Sequence, residues 1–138
     1  MIRSTEKTLL IGKVHKLSGV PIRTIRYYES LGLINSAGRT EGGYRTFSED
    51  IFARLSFIKR TQSLGLSLQE IGDFLRVYDN GKAPCDDIQQ KLEDKILHIE
   101  KQIEDLRKLQ GELKGLLSGW NSLSNKTEDI ICPNIQKK

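Results

Sequence analysis

The sequence predicts a mainly α-helical protein, with a winged helix-turn-helix at the N-terminus followed by one long C-terminal helix that needs a partner. Three observations carry this expectation. Residues 21–34, PIRTIRYYESLGLI, place a proline and a glycine around a short amphipathic stretch. A glycine pair, Gly42-Gly43, then lies among basic and aromatic residues. From Pro84 to about Ser118, apolar residues recur at alternating spacings of four and three, the pattern of a helix packed along another helix.

Taken in order, Ile11, Val14, Leu17 and Val20 make a helical stripe, and Ser18-Gly19 supplies a tight bend after it. Pro21 suits the first position of the next helix, since it has no N–H to leave unpaired, and Gly32 suits the left-handed residue after the last turn. About eleven residues are delimited in this way. Ile22 and Ile25 form their inner face, while Arg23, Arg26 and Tyr27 lie three and four apart on the outer one. Two short helices joined by a tight bend have helix-turn-helix spacing, with the second as the reader. Arg and Tyr also decorate ordinary solvated helices, so the flanking sequence decides. Arg39, Gly42-Gly43, Tyr44, Arg45 and Phe47 read as a hairpin turning on its glycines, and a basic, aromatic hairpin beside a reader helix is a wing.

Ser48 is expected to cap a third helix with Glu49 and Asp50 in its first turn. Ile51, Leu55, Ile58 and Gln62 would face inward up to Gly65, with Arg54, Lys59 and Arg60 projecting outward. Ser67 and Glu70 form the S-x-x-E box of a fourth helix, whose Ile71, Phe74 and Leu75 face the core up to Asn80-Gly81. The long helix carries apolar residues at 88, 92, 96, 99, 103, 106, 113 and 117, interrupted by Gln110, while Gly111 and Gly115 weaken its last turns. At ~1.5 Å per residue it would run ~50 Å, more than so short a chain can cover with its own core. A second copy is the simplest partner.

Residues 1–60 hold 11 Lys and Arg against 5 Asp and Glu, a net +6, whereas the remainder holds 11 against 13, a net −2. The basic half is the half with the reader helix, as phosphate neutralisation requires, although a solvated basic face would look the same in isolation. The 138 residues suffice for one domain and an arm. The N-terminal MIRSTEKT is polar and no apolar run approaches ~20 residues, so neither a signal peptide nor a membrane segment is expected, and the protein reads as soluble and cytoplasmic. No nucleophile triad, carboxylate pair or phosphate loop argues for an enzyme.

Three segments in order, IRTIRYYESLGLI (22–34), RTEGGYRTFSED (39–50) and FIKRTQSLGLSLQEI (57–71), resemble the MerR family of transcription regulators, and the likeness extends over about residues 8–118. The resemblance implies a DNA-binding domain over 1–81, a dimerisation helix over 82–118 and an effector loop and tail over 119–138. It implies a homodimer joined by an antiparallel coiled coil, bound to double-stranded promoter DNA that the effector causes it to twist, with RNA polymerase at the same promoter. Expected DNA contacts are Lys13, Arg23, Thr24, Arg26, Tyr27, Tyr28, Arg39, Tyr44, Arg45 and Arg60, the last of these, with Lys59, gripping phosphates.

The same resemblance gives the two cysteines their interest. Cys85 opens the long helix and Cys132 lies in ICPNI beyond it, so an antiparallel dimer would bring Cys85 of one subunit toward Cys132 of the other, twice by symmetry. Metal-sensing members carry a cysteine at the position of Cys85, and the Cys-Pro near the tail resembles their binding loop. They usually carry another just after the dimer helix, where this chain has Gly119-Trp120. That departure leaves two thiolates per site. His98 lies ~20 Å along the helix axis from Cys85. His15 belongs to the DNA-binding half, and Asp86, Asp87, Glu128 and Asp129 could add oxygen. Zinc prefers four ligands, whereas a soft ion accepts two sulfurs, so mercury(II) is the first expectation, with zinc, cadmium and lead as alternatives. An iron–sulfur cluster generally takes four cysteines. A reversible Cys85/Cys132 disulfide, which would make a thiol-redox regulator, and an effector-independent architectural DNA-binding protein remain open.

Overall fold

The computed structural model describes residues 7–122, 125–126 and 128–136; the first six residues of the polar N-terminal stretch lie outside them. In chain order the first elements are β1 (Thr8–Leu10), α1 (Ile11–Ser18), α2 (Ile22–Ser30), β2 (Gly38–Arg39), β3 (Arg45–Ser48), α3 (Ile51–Ser63) and α4 (Leu68–Asp79). They belong to one compact unit, Met1–Asp87, and a second unit spans Ile88–Lys138. The strands form an antiparallel sheet in the order β1-β3-β2, with Leu9 opposite Phe47 and Arg39 opposite Arg45.

Backbone chemistry explains the joints. Gly19 takes φ +77°, and its N–H donates to the His15 carbonyl at 2.8 Å, closing α1. Pro21 stands one residue before α2 rather than inside it, with ψ 145°, and its carbonyl accepts from Ile25 at 3.0 Å. The reader helix is therefore nine residues long and is followed by Gly32 at φ +77°. Ser67 and Glu70 make the expected reciprocal box, at 3.1 and 2.9 Å. Val14, Ile25, Ile34, Phe47, Ile58 and Ile71 are the largest side chains wholly withdrawn from solvent, so the helix-turn-helix, wing and α3–α4 pair share one core.

Several expectations need correction. Leu17 is 58 % exposed, because a strict three-residue spacing drifts about 60° per step around the helix. Ser48 does not cap α3: it remains in β3 opposite Thr8, donates its hydroxyl to Asp50, and the helix begins at Ile51. The inward stripe of α3 continues to Thr61, not Gln62, since the threonine hydroxyl satisfies itself on the Phe57 and Ile58 carbonyls. Arg54 turns inward, onto the Leu33 carbonyl and Asp79. Only Gly43 of the wing's glycine pair is left-handed, at φ +85°.

The helix α5 (Cys85–Ser118) is 34 residues long and buries none of them. Ile96, Ile99, Ile103, Leu106, Leu109, Leu113 and Leu117 are all exposed. A short α6 (Pro133–Gln136) follows. Among the described residues no helix is long and apolar enough to cross a membrane.

Candidate nucleic-acid interface and thiol positions

Ile25 and Tyr28 bury the inner face of α2, which leaves Arg23, Arg26 and Tyr27 exposed and Thr24 half-buried. The start of α1, the reader helix and the wing enclose an open groove of about 630 Å³, whose lining includes Lys13, Arg26, Arg39, Tyr44 and Arg45. Five of the residues expected to face DNA thus share one concavity. Leu10, preceding α1, offers no side-chain cap.

The wing's two arginines also work inside the fold. Arg39 donates Nη1 to the Gly43 carbonyl at 2.7 Å, bracing the turn, and Arg45 pairs with Glu29 of α2 at 3.2 Å, tying wing to reader helix. Tyr44 is 70 % exposed at the tip. Lys59 and Arg60 are exposed near the end of α3. Arg23 and Arg26 are exposed and form no ion pair among the described residues.

Tyr28 is the correction here. It was expected among the DNA contacts, but its ring is buried and its hydroxyl donates to Gln62 Oε1 at 2.8 Å, because its position one turn after Ile25 faces the core. Burial pushes its phenol above the ordinary value of 10.0. The fold favours the neutral form, so Tyr28's contribution to stability is whole below pH 10.0 and is lost as the pH rises through its higher folded value. Denaturant titrations at alkaline pH should show Tyr28→Phe losing less stability with pH than the parent. Equal slopes would remove Tyr28 from the linkage.

Cys85 is the first residue of α5 and is exposed; Cys132 is half-buried just before α6; both are free thiols. They belong to different compact units. Pro133 occupies the first turn of α6, where its missing N–H costs nothing. Around Cys132 the tail is held by amides that the sequence reading did not single out. Gln136 Oε1 accepts from the backbone N–H groups of Ile131 at 2.6 Å and Cys132 at 2.9 Å. Buried Asn134 brackets Asn121, accepting its N–H at 3.0 Å and donating to its carbonyl at 2.7 Å. Trp120 and Cys132 consequently line one open recess. The only advance signal was the spacing within CPNIQ, which lets a side chain reach back to its own turn.

Asp86 and Asp87 lie in the first turn of α5, and Glu128, Asp129 and His98 are exposed elsewhere. Among the described residues no three His, Cys, Asp or Glu side chains gather as a metal-binding group.

A nine-residue reader helix, a braced basic wing and a long unburied helix define a winged helix-turn-helix transcription regulator. The family model of MerR HTH family regulatory proteins matches residues 9–77, and that of the MerR DNA-binding region matches residues 52–116. The chain belongs to the MerR family. It is 45% identical over 128 residues to the mercuric resistance operon regulatory protein of Bacillus cereus, covering 93% of this chain and 97% of that one. The lead(II)-bound transcription regulator of Ralstonia metallidurans CH34 superposes with TM-score 0.70 at 28% identity, covering 84% of this chain and 91% of that one. A MerR family regulator lacking the sensor domain and bound to promoter DNA gives TM-score 0.55 at 25% identity, with coverages of 81% and 85%. These relatives are regulators, not enzymes.

Proposed function

We propose that the protein is a cytoplasmic, homodimeric regulator that binds double-stranded promoter DNA and answers to a thiophilic divalent metal ion, mercury(II) first, with zinc, cadmium and lead as alternatives. The observation that carries this reading is the pairing of the basic groove with two free, solvent-reachable thiols, Cys85 and Cys132. The 45% identity with a mercuric regulator supports the choice of ion. Residues 1–81 would hold DNA, 82–118 would dimerise as an antiparallel coiled coil, and 119–138 would form the effector-binding loop and tail. Cys85 and Cys132 of the partner subunit would hold the ion, whose chemistry is to cross-link two thiolates. A bound ion would then change how the dimer twists the promoter presented to RNA polymerase.

Within the DNA set, Arg23 and Arg26 are assigned to base edges, and Lys13 and Arg60 to phosphates. Thr24, Tyr27 and Tyr44 border the duplex, while Arg39 and Arg45 brace the wing that reaches it. Arg23→Ala or Arg26→Ala should therefore lower specific operator affinity far more than affinity for random DNA, since a bidentate contact to guanine is worth ~1–3 kcal/mol. Arg60→Ala should weaken both alike and flatten the salt dependence. Equal losses on both DNAs for both reader-helix arginines would take them out of base readout.

Transcription from the cognate promoter in graded mercury(II), zinc, cadmium and lead tests the reading. Mercury(II) should act at the lowest concentration, and elemental analysis should find two ions per dimer. A response to a thiol oxidant with no metal bound would instead establish a Cys85/Cys132 redox switch. Indifference to metals and oxidants would leave an architectural DNA-binding protein.

A further inference from the structure

Arg54 was expected to project from α3 into solvent, yet its side chain is only 13 % exposed and its guanidinium joins two distant segments. Nε and Nη2 donate to the Leu33 carbonyl at 3.0 and 2.8 Å. Nη1 and Nη2 donate to the two carboxylate oxygens of Asp79 at 2.7 and 3.2 Å. Leu33 closes the reader helix, since its own N–H donates to the Tyr28 carbonyl at 3.0 Å. Asp79 is the last residue of α4, followed by the left-handed Gly81 and, four residues further on, by Cys85 at the head of α5.

We propose that Arg54 is a positioning residue that links the entry to the long helix with the end of the reader helix, so that the state of the effector is passed along Asp79, Arg54 and the Leu33 carbonyl. This rests on the metal-responsive reading above. A withdrawn guanidinium has to place its donors on fixed acceptors, and an apolar side chain would fill the same space without joining the two segments. The two arms differ in shielding. Leu33 is 3 % exposed, whereas the Asp79 side chain is 48 % exposed, so the carboxylate arm is the one that can open and close at small cost. Its planar fork also passes on direction, which a single-point ammonium would not.

The test uses the full-length protein with Asp79→Asn and Asp79→Glu. Asp79→Asn should keep metal-free operator affinity within about threefold of wild type and bind as much mercury(II), because the Leu33 arm and both cysteines remain. Its mercury(II)-dependent change in transcription should fall at least about threefold, Asp79→Glu should restore it, and the Leu33 amide should exchange hydrogen several-fold faster in Asp79→Asn. A purely structural role would lower affinity and thermal stability without moving the induction ratio selectively. Where the wild type responds to metal, an unchanged induction ratio in Asp79→Asn overturns the proposal. Should the wild type ignore every metal tested, the metal-responsive reading fails and the exchange arm alone decides the link: faster exchange supports it, and unchanged Leu33 protection overturns it.

Discussion

Replacing Ile99, Ile103 and Leu106 together by aspartate should convert the protein into a folded monomer that no longer holds its operator at micromolar concentration. In the isolated chain these side chains are 51 %, 45 % and 63 % exposed on a 34-residue helix that buries nothing. An exposed apolar seam of that length is unstable in water unless covered. Fully burying each side chain contributes ~1.5–3 kcal/mol before the entropy of association is counted. Aspartate at the same positions would place like charges in the seam and remove the apolar gain. Loss of the proposed dimer would separate two reader helices that would otherwise act as one bivalent ligand, and the avidity forfeited is commonly about 10²–10⁴-fold. Sedimentation and operator titration are the measurements. The first compact unit has its own core, so its helices and the buried Val14, Ile25 and Phe47 should survive. A dimer persisting at micromolar concentration would show that the chains associate through another surface.

Cys85→Ser or Cys132→Ser should each abolish the metal response while leaving metal-free DNA affinity nearly intact, because neither cysteine lines the basic groove. Among the described residues Cys85 and Cys132 are the only sulfur-bearing side chains, so losing one would leave a thiophilic ion a single thiolate and remove the proposed chelate. Mixing the two mutant chains gives a sharper result. If the ligands come from different subunits, heterodimers should recover one intact site and bind one ion, half the wild-type stoichiometry. Trp120 should report the event, since it is 43 % exposed and shares a recess with Cys132, and its fluorescence should change only when an ion is held. A mixture of folded, subunit-exchanging mutants that binds no metal would refute the cross-subunit site.

How much of this was legible in advance follows from the range of the interactions involved. The bend at Gly19, the end of the reader helix at Gly32 and the Ser67–Glu70 box depend on the backbone preferences of a few adjacent residues, and each formed where expected. The unburied α5 was legible for a related reason: a period sustained through many turns needs no knowledge of neighbours. At the interface, exposure of Arg23, Arg26 and Tyr27 followed from helical periodicity once Ile25 faced the core.

Other features depended on partners remote in sequence. The strand β1 exists because Thr8–Leu10 pairs with β3, some forty residues away, and so short a run carries no strand signal of its own. Tyr28 turns inward to Gln62, 34 residues on, and Arg54 spans Leu33 and Asp79, 21 and 25 residues away in opposite directions. Such a side chain is attractive as a DNA contact or a solvated charge until the fold supplies an acceptor inside. Local chemistry along the chain thus specified the helices, their stops and the outward basic face. Which polar groups were free to meet a ligand was decided only by tertiary packing, because a buried donor or acceptor must be paired and its partner is chosen by the fold.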